Sequence, residues 1–204
     1  DPNYLLDLKL IEKIKPSGNF LDIGTNAGSF LRLARNRAWT LTGIEPSPQL
    51  ADLARTWWGL NVIEGFIEKL SLPSSHYDII TMTDVFEHLV NPREVLRAVR
   101  NVIKPDGLLF IKVPNAKFNL FKHAVRNALG RPSDNDFDSY EHVVHYTDQT
   151  LNKVLRSEGF APFRIYVEHP VQIPIWHKVV GHYYQHSSPF WMDWKTYTGR
   201  RSLY

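Results

Sequence analysis

The sequence predicts an α/β protein: a Rossmann-like, doubly wound, mostly parallel sheet with an insertion before the penultimate helix. Three observations carry that expectation. Short apolar strands alternate with stretches of helical periodicity between residues 19 and 114, the first strand runs into a glycine-bearing turn, and helix starts pair a small polar residue with a following proline. Such alternation buries the strands on both faces and favours right-handed parallel crossovers.

Leu5, Leu8, Ile11 and Ile14 recur at helical spacing and stop before Pro16-Ser17-Gly18, which reads as an opening helix. "NFLDIG" is the first strand, and Ala27, Phe30, Leu31 and Ala34 mark one face of the next helix. "TLTGIE" (Thr40–Glu45) is the second strand. Ser47-Pro48 is an N-cap with proline at the first helical position, opening a helix to about Trp58. Asn61–Gly65 and Tyr77–Asp84 are the third and fourth strands. Asn91-Pro92-Arg93-Glu94 reads as a capping box, and Val95, Val99 and Val102 line the helix behind it. Pro105-Asp106-Gly107 is expected to turn into a fifth strand, "LLFIKVP". Residues 115–146 break the rhythm with one helix, about Phe118–Leu129, and the polar run "GRPSDNDFDSY". Thr147 then caps a helix over Leu151–Glu158 that ends at Gly159. "FAPFRIYVEHP" reads as a strand near a sheet edge, with Pro162 where a missing donor costs least.

A chain of 204 residues, 43% apolar and 22% charged, suits one well-cored domain, expected over 1–170 with 115–146 as a lid. An aromatic C-terminal extension, 171–204, is expected to pack on it; it holds Trp176, Tyr183, Tyr184, Phe190, Trp191, Trp194, Tyr197 and Tyr204. Three readings of it stand open: a cover for the sheet edge, a dimer or partner surface, or a peripheral membrane contact made by Trp and Tyr with Lys178, Lys195, Arg200 and Arg201. Monomer and homodimer are both left open. A net charge of +3 without a contiguous basic stripe argues against a nucleic-acid partner. Cysteine is absent, no apolar run reaches membrane-spanning length and no signal pattern opens the chain, so a cytoplasmic location is expected.

In an open α/β sheet the ligand sits beyond the strand carboxyl ends, beside the first strand-to-helix turn. That turn reads Gly24-Thr25-Asn26-Ala27-Gly28, not G-x-G-x-x-G. Gly24 releases the strand into a tight turn, and Gly28 lets the next helix pack close. Asn26 stands where glycine is common and is expected to adopt a left-handed backbone. Glu45, ending the second strand, can accept both hydroxyls of a ribose. Asp22 would repel a diphosphate and attract a positive centre. S-adenosylmethionine, with a ribose, a sulfonium and an ammonium but no phosphate, therefore fits better than NAD.

Asp22-x-Gly24-x-x-x-Gly28, "GIEPSPQLADLAR", "DVFEHLVNPREVL" and "VIKPDGLLFIKVPN", in that order, resemble class I S-adenosylmethionine-dependent methyltransferases of the type 11 and type 23 groups, which include ubiquinone-biosynthesis methyltransferases. The likeness covers about Phe20–Asn115 and extends more weakly over Glu141–Phe160. It implies a cofactor set of Asp22, Gly24, Thr25, Asn26, Gly28, Glu45, Pro46, Thr83, Asp84 and Val85. Phe66 replaces the acidic residue that often follows the third strand. The adenine is therefore expected against Phe66 and Ile67, with Glu68 as an acceptor for its amino group.

Methyl transfer from a sulfonium is an in-line displacement, so catalytic side chains are weakly specified. A base is needed only where the acceptor must lose a proton. His88, beside the expected methyl donor, is the first candidate. His142, His145 and Tyr146 form the candidate acceptor side. Glu87-His88 resembles part of the acid–His pair that binds Mg²⁺ in ubiquinone-pathway O-methyltransferases; only part of that set is visible, and no metal is expected. The leading expectation is an O-methyltransferase acting on a small molecule or a glycan- or lipid-linked acceptor. The alternatives are a nicotinamide-dependent oxidoreductase and a non-catalytic binding module.

Overall fold

The structure is a computed structural model that describes residues 2–130, 142–168 and 194–201, with backbone alone for 2, 118, 119, 122, 163–168 and 194–201. Its elements in chain order are α1 (Pro2–Ile14), β1 (Ser17–Ile23), α2 (Ser29–Leu33), β2 (Ala38–Glu45), α3 (Pro48–Trp58), β3 (Val62–Glu64), β4 (Tyr77–Thr83), α4 (Pro92–Val102), β5 (Ile103–Pro114), α5 (Ala116–Ala128), α6 (Asp148–Ser157), β6 (Phe160–Glu168) and β7 (Trp194–Arg201). Single 3-10 turns lie at Ile67–Lys69 and Phe86–His88.

The sheet order is β3-β2-β1-β4-β5-β7-β6. The first five strands are parallel, and β7 pairs antiparallel with both β5 and β6. The order reverses between β1 and β4, which opens a crevice at their carboxyl ends. Strand alternation builds two cores. Leu21, Ile80, Met82, Leu109 and Ile111 face α4 and α6, and Phe20, Ile79, Leu108 and Phe110 face α1, α2 and α3.

Several local signals act as read. Ser47 accepts from the Leu50 amide ahead of Pro48, and Gly159 ends the α6 region with φ of 82°. Thr147 forms a true capping box with Thr150. Others differ. The Asn91 side chain does not cap α4; its amide donates to the Glu94 carboxylate at 2.9 Å, which removes both groups from the backbone. The expected Pro105-Asp106-Gly107 turn lies inside β5. Pairing moves from Tyr77↔Ile103 to Ile79↔Leu108, so the turn residues are absorbed as a bulge. The helix marked by Ala27–Ala34 is only Ser29–Leu33, because Gly28, at φ of 84°, is its N-cap. The aromatic residues 176–191 and Tyr204, and most of the polar run 130–140, lie outside the described residues. Among the described residues no helix is long and apolar enough to cross a membrane.

Candidate functional site

The crevice between β1 and β4 is floored by the Gly24–Gly28 turn. Gly24 has φ of 71°, and a Cβ there would stand 2.5 Å from the Val85 side chain, so the turn and the loop after β4 approach in a way only glycine permits. Asn26 has φ of 52°, the left-handed backbone expected of it. Two contacts hold it: its amide donates to Glu45 Oε2 at 2.8 Å, and its own Oδ1 accepts from the Ala27 amide at 2.6 Å. Glu45 Oε1 accepts from the Ser47 amide at 2.9 Å. Glu45 therefore staples the two strand-end turns together while its remaining lone pairs face the crevice.

Two cavities meet at this turn. One, of about 290 Å³, is walled by Tyr4, Asp22, Thr25, Phe30, Thr83 and Asp84. The other, of about 390 Å³, includes Glu45, Pro46, Phe66, Ile67, Val85 and His88. Gly24, Asn26 and Asp84 border both. Phe66 is 49% exposed and offers a ring at the rim, while Ile67 is buried beneath it. Gly28 borders neither; it allows contact with Leu60, Ala54 and Trp58 and serves packing.

The first cavity is acidic. Asp22 is buried and accepts from the Thr81 hydroxyl at 2.6 Å. Burial pushes its carboxyl up to about 6, against the pull of that hydrogen bond. Asp84, at φ of 56°, has a buried Oδ1 with no hydrogen-bond partner among the described residues. Burial raises it to about 6 as well, opposed by Lys112 and His88. A buried carboxylate oxygen without a donor is a place for a cationic or N–H-bearing ligand.

The loop after β4 turns to the other side. Glu87 is 2% exposed, neither carboxylate oxygen has a hydrogen-bond partner among the described residues, and burial pushes it up to about 8. His142 Nε2 stands 4.0 Å from Glu87 Oε1. The His88 and His142 rings are 5.0 Å apart and those of His142 and His145 6.0 Å. The backbone tie from the Val144 amide to the Glu87 carbonyl brings these distant segments together. Ligand atoms of Glu87, His88 and His142 lie within 4.8 Å of one another, a triad that the sequence does not display. Tyr146 is different: its ring packs on Phe86 at 5.1 Å, and burial, with Glu87 nearby, lifts its phenol to about 12. Sequence reasoning missed Tyr4, Asp7 and Lys112. The available signal was a charge in each of two apolar settings, Lys112 inside "LLFIKVP" and Asp7 beside Leu8 in the opening helix.

The sequence signature of the methyltransferase domain family matches residues 4–164, most of the chain. The chain belongs to that family. S-adenosylmethionine is the cofactor that goes with this family and fold, and the acidic crevice with its orphaned Asp84 oxygen fits it. This methyltransferase domain is 28% identical over 113 residues to a ubiquinone biosynthesis O-methyltransferase of Neisseria meningitidis, covering 52% of this chain and 48% of the relative. It is 25% identical over 147 residues to the Histophilus somni protein of the same name, covering 63% and 62%. The chain thus spans about half to three-fifths of the length of these curated relatives. A crystal structure of an S-adenosylmethionine-dependent methyltransferase from Archaeoglobus fulgidus superposes with a TM-score of 0.70 at 16% identity, covering 97% of this chain and 92% of that one. That similarity establishes the fold.

Proposed function

We propose that the protein is an S-adenosylmethionine-dependent methyltransferase that methylates an oxygen of a small-molecule or glycan- or lipid-linked acceptor. The observation that carries this reading is the pair of cavities joined at Gly24, Asn26 and Asp84, one lined by Asp22 and the other by Glu45, Phe66 and Ile67. Glu45 would take the ribose hydroxyls, and Phe66 and Ile67 the adenine, with Glu68 near its amino group. Asp22 and Asp84 would face the ammonium and sulfonium. The bound cofactor supplies an already activated methyl group. The chain's task is alignment, which can account for roughly 7–11 kcal/mol of barrier reduction. His88, His142 and His145 would face the acceptor and take its proton, and Tyr146 would shape the wall behind them. Oxygen as the methylated atom is supported by the names of the two O-methyltransferase relatives.

A second reading is favoured by the Glu87, His88 and His142 triad, whose spacing suits a divalent cation that would lower the acceptor's proton affinity. Dialysis against EDTA separates the two: unchanged turnover supports imidazole alone, and loss restored by a divalent metal supports the cation. The overall reading is tested by calorimetric titration with S-adenosylhomocysteine, followed by transfer of labelled methyl to phenolic and glycan acceptors. Saturable binding in the micromolar range is expected; no binding at high micromolar concentration overturns it.

A further inference from the structure

Polar side chains interrupt one face of the sheet near its carboxyl end. Strand alternation puts Asp22 of β1, Thr81 of β4 and Lys112 of β5 on the face that elsewhere packs Phe20, Ile79 and Phe110 against α1 and α2, and all three are buried. Lys112 Nζ meets Asp7 Oδ2 of α1 at 2.8 Å, with the two side chains 3% and 0% exposed. A buried ion pair costs desolvation, and apolar replacements are often as stable, so stability alone is a weak account of it.

Its position supplies a better one. The Lys112 ammonium lies 6.0 Å from the centre of the Tyr4 ring, one turn before Asp7 on α1. Tyr4 packs edge-on against Phe30 at 5.2 Å, and both rings wall the 290 Å³ cavity. On its other side Lys112 pairs in register with Thr83, and its carbonyl accepts from the Asp84 amide at 3.0 Å. Lys112 thus stands between the helix that covers the cavity and the aspartate that lines it.

We propose that Lys112 is a positioning residue for the cofactor: through Asp7 it holds α1, and with it Tyr4, across the amino-acid end of the cleft, and it sets a positive charge behind Asp84. This rests on the methyltransferase reading above. Among the described residues the groups facing Asp84 are His88 and Glu87 from its own loop, Lys112 from β5, Asp22 from β1 and Tyr4 from α1, with Asp7 beyond. Lys112 and His88 favour the carboxylate, against burial. Without Lys112, Asp84 takes up its proton at higher pH, and attraction for the ligand's ammonium is lost sooner as pH falls.

The test titrates S-adenosylhomocysteine by calorimetry from pH 5.5 to 8 into wild-type protein, the Asp7→Leu/Lys112→Met double variant and Tyr4→Ala. The double variant replaces the pair by apolar contact and is expected to keep α1 docked, with a thermal midpoint near wild type. Its affinity should be about tenfold weaker at pH 7, with the acid-side fall displaced upward by about one pH unit. A folded double variant with wild-type affinity and pH profile overturns the proposal. Should it not fold, Tyr4→Ala decides: several-fold weaker binding with an unshifted profile supports the clamp, and unchanged affinity overturns it. Wild-type protein that binds no S-adenosylhomocysteine overturns the cofactor reading itself, a result distinct from either.

Discussion

Glu45 holds two amides with one side chain, and the proposed function gives it a second task. Its oxygens hold the Asn26 and Ser47 amides at 2.8 and 2.9 Å, and the proposed cofactor site has the same carboxylate take the ribose hydroxyls. Glu45→Gln should therefore weaken S-adenosylhomocysteine binding by about 2 kcal/mol, roughly 30-fold in Kd, because charge-assisted hydrogen bonds are lost on both sides. Calorimetry checks this; a Kd within twofold of wild type contradicts it. His145 lines neither of the two cavities, and its ring stands 6.0 Å from that of His142. His145→Ala should keep cofactor affinity and lower turnover, and loss of affinity instead would break the division between cofactor and acceptor sides. Asn26 illustrates what one residue type discloses. Its small polar side chain tolerates positive φ and bonds the next amide, so its backbone state was legible. Asp84 also takes a positive φ, 56°, and the sequence reading did not anticipate it.

At the scale of elements, the proposed acceptor side depends on how α6 is launched. The reciprocal Thr147–Thr150 cap starts the helix directly after His142–Tyr146, and that stretch is tied down twice, by the Val144 amide donating to the Glu87 carbonyl and by the Tyr146 carbonyl accepting from the Ala116 amide. Thr147→Ala should cost about 1 kcal/mol of stability and speed amide exchange in the first turn of α6, measured by hydrogen exchange. Protection unchanged there would show that packing of Leu151 and Leu155 alone holds the helix start. Caps and apolar stripes made α3, α5 and α6 readable from sequence. The misread elements failed for local reasons: Asn91 found the Glu94 side chain instead of backbone, and Pro105-Asp106-Gly107 bulged within a strand that continued past it.

Among the described residues of the whole molecule, burial raises three carboxyl groups, Asp22 and Asp84 to about 6 and Glu87 to about 8. Each binds its proton more tightly folded than unfolded. Stability of the cofactor-free protein should therefore fall as pH rises from about 4.5 to 8 through these values. On the acid side the Lys15 ammonium beside Asp106 holds that carboxyl below its usual range, a contribution lost as pH falls. Thermal denaturation should give the highest midpoint at mildly acid pH. S-adenosylmethionine should raise the midpoint more at pH 8 than at pH 5.5, since its positive charge meets ionised Asp22 and Asp84. A cofactor shift larger at pH 5.5 contradicts this. The chain's own pattern determined the parallel α/β sheet, the glycine turn, the carboxylate that ends β2 and the choice of a phosphate-free cofactor, because periodicity, glycine freedom and charge sign act over short spans. Tertiary structure alone decided what comes together from far apart: Lys112 with Asp7, Glu87 with His142, and β7 between β5 and β6. Those pairings depend on which strand ends and helix faces meet across the sheet, and no local residue preference encodes that.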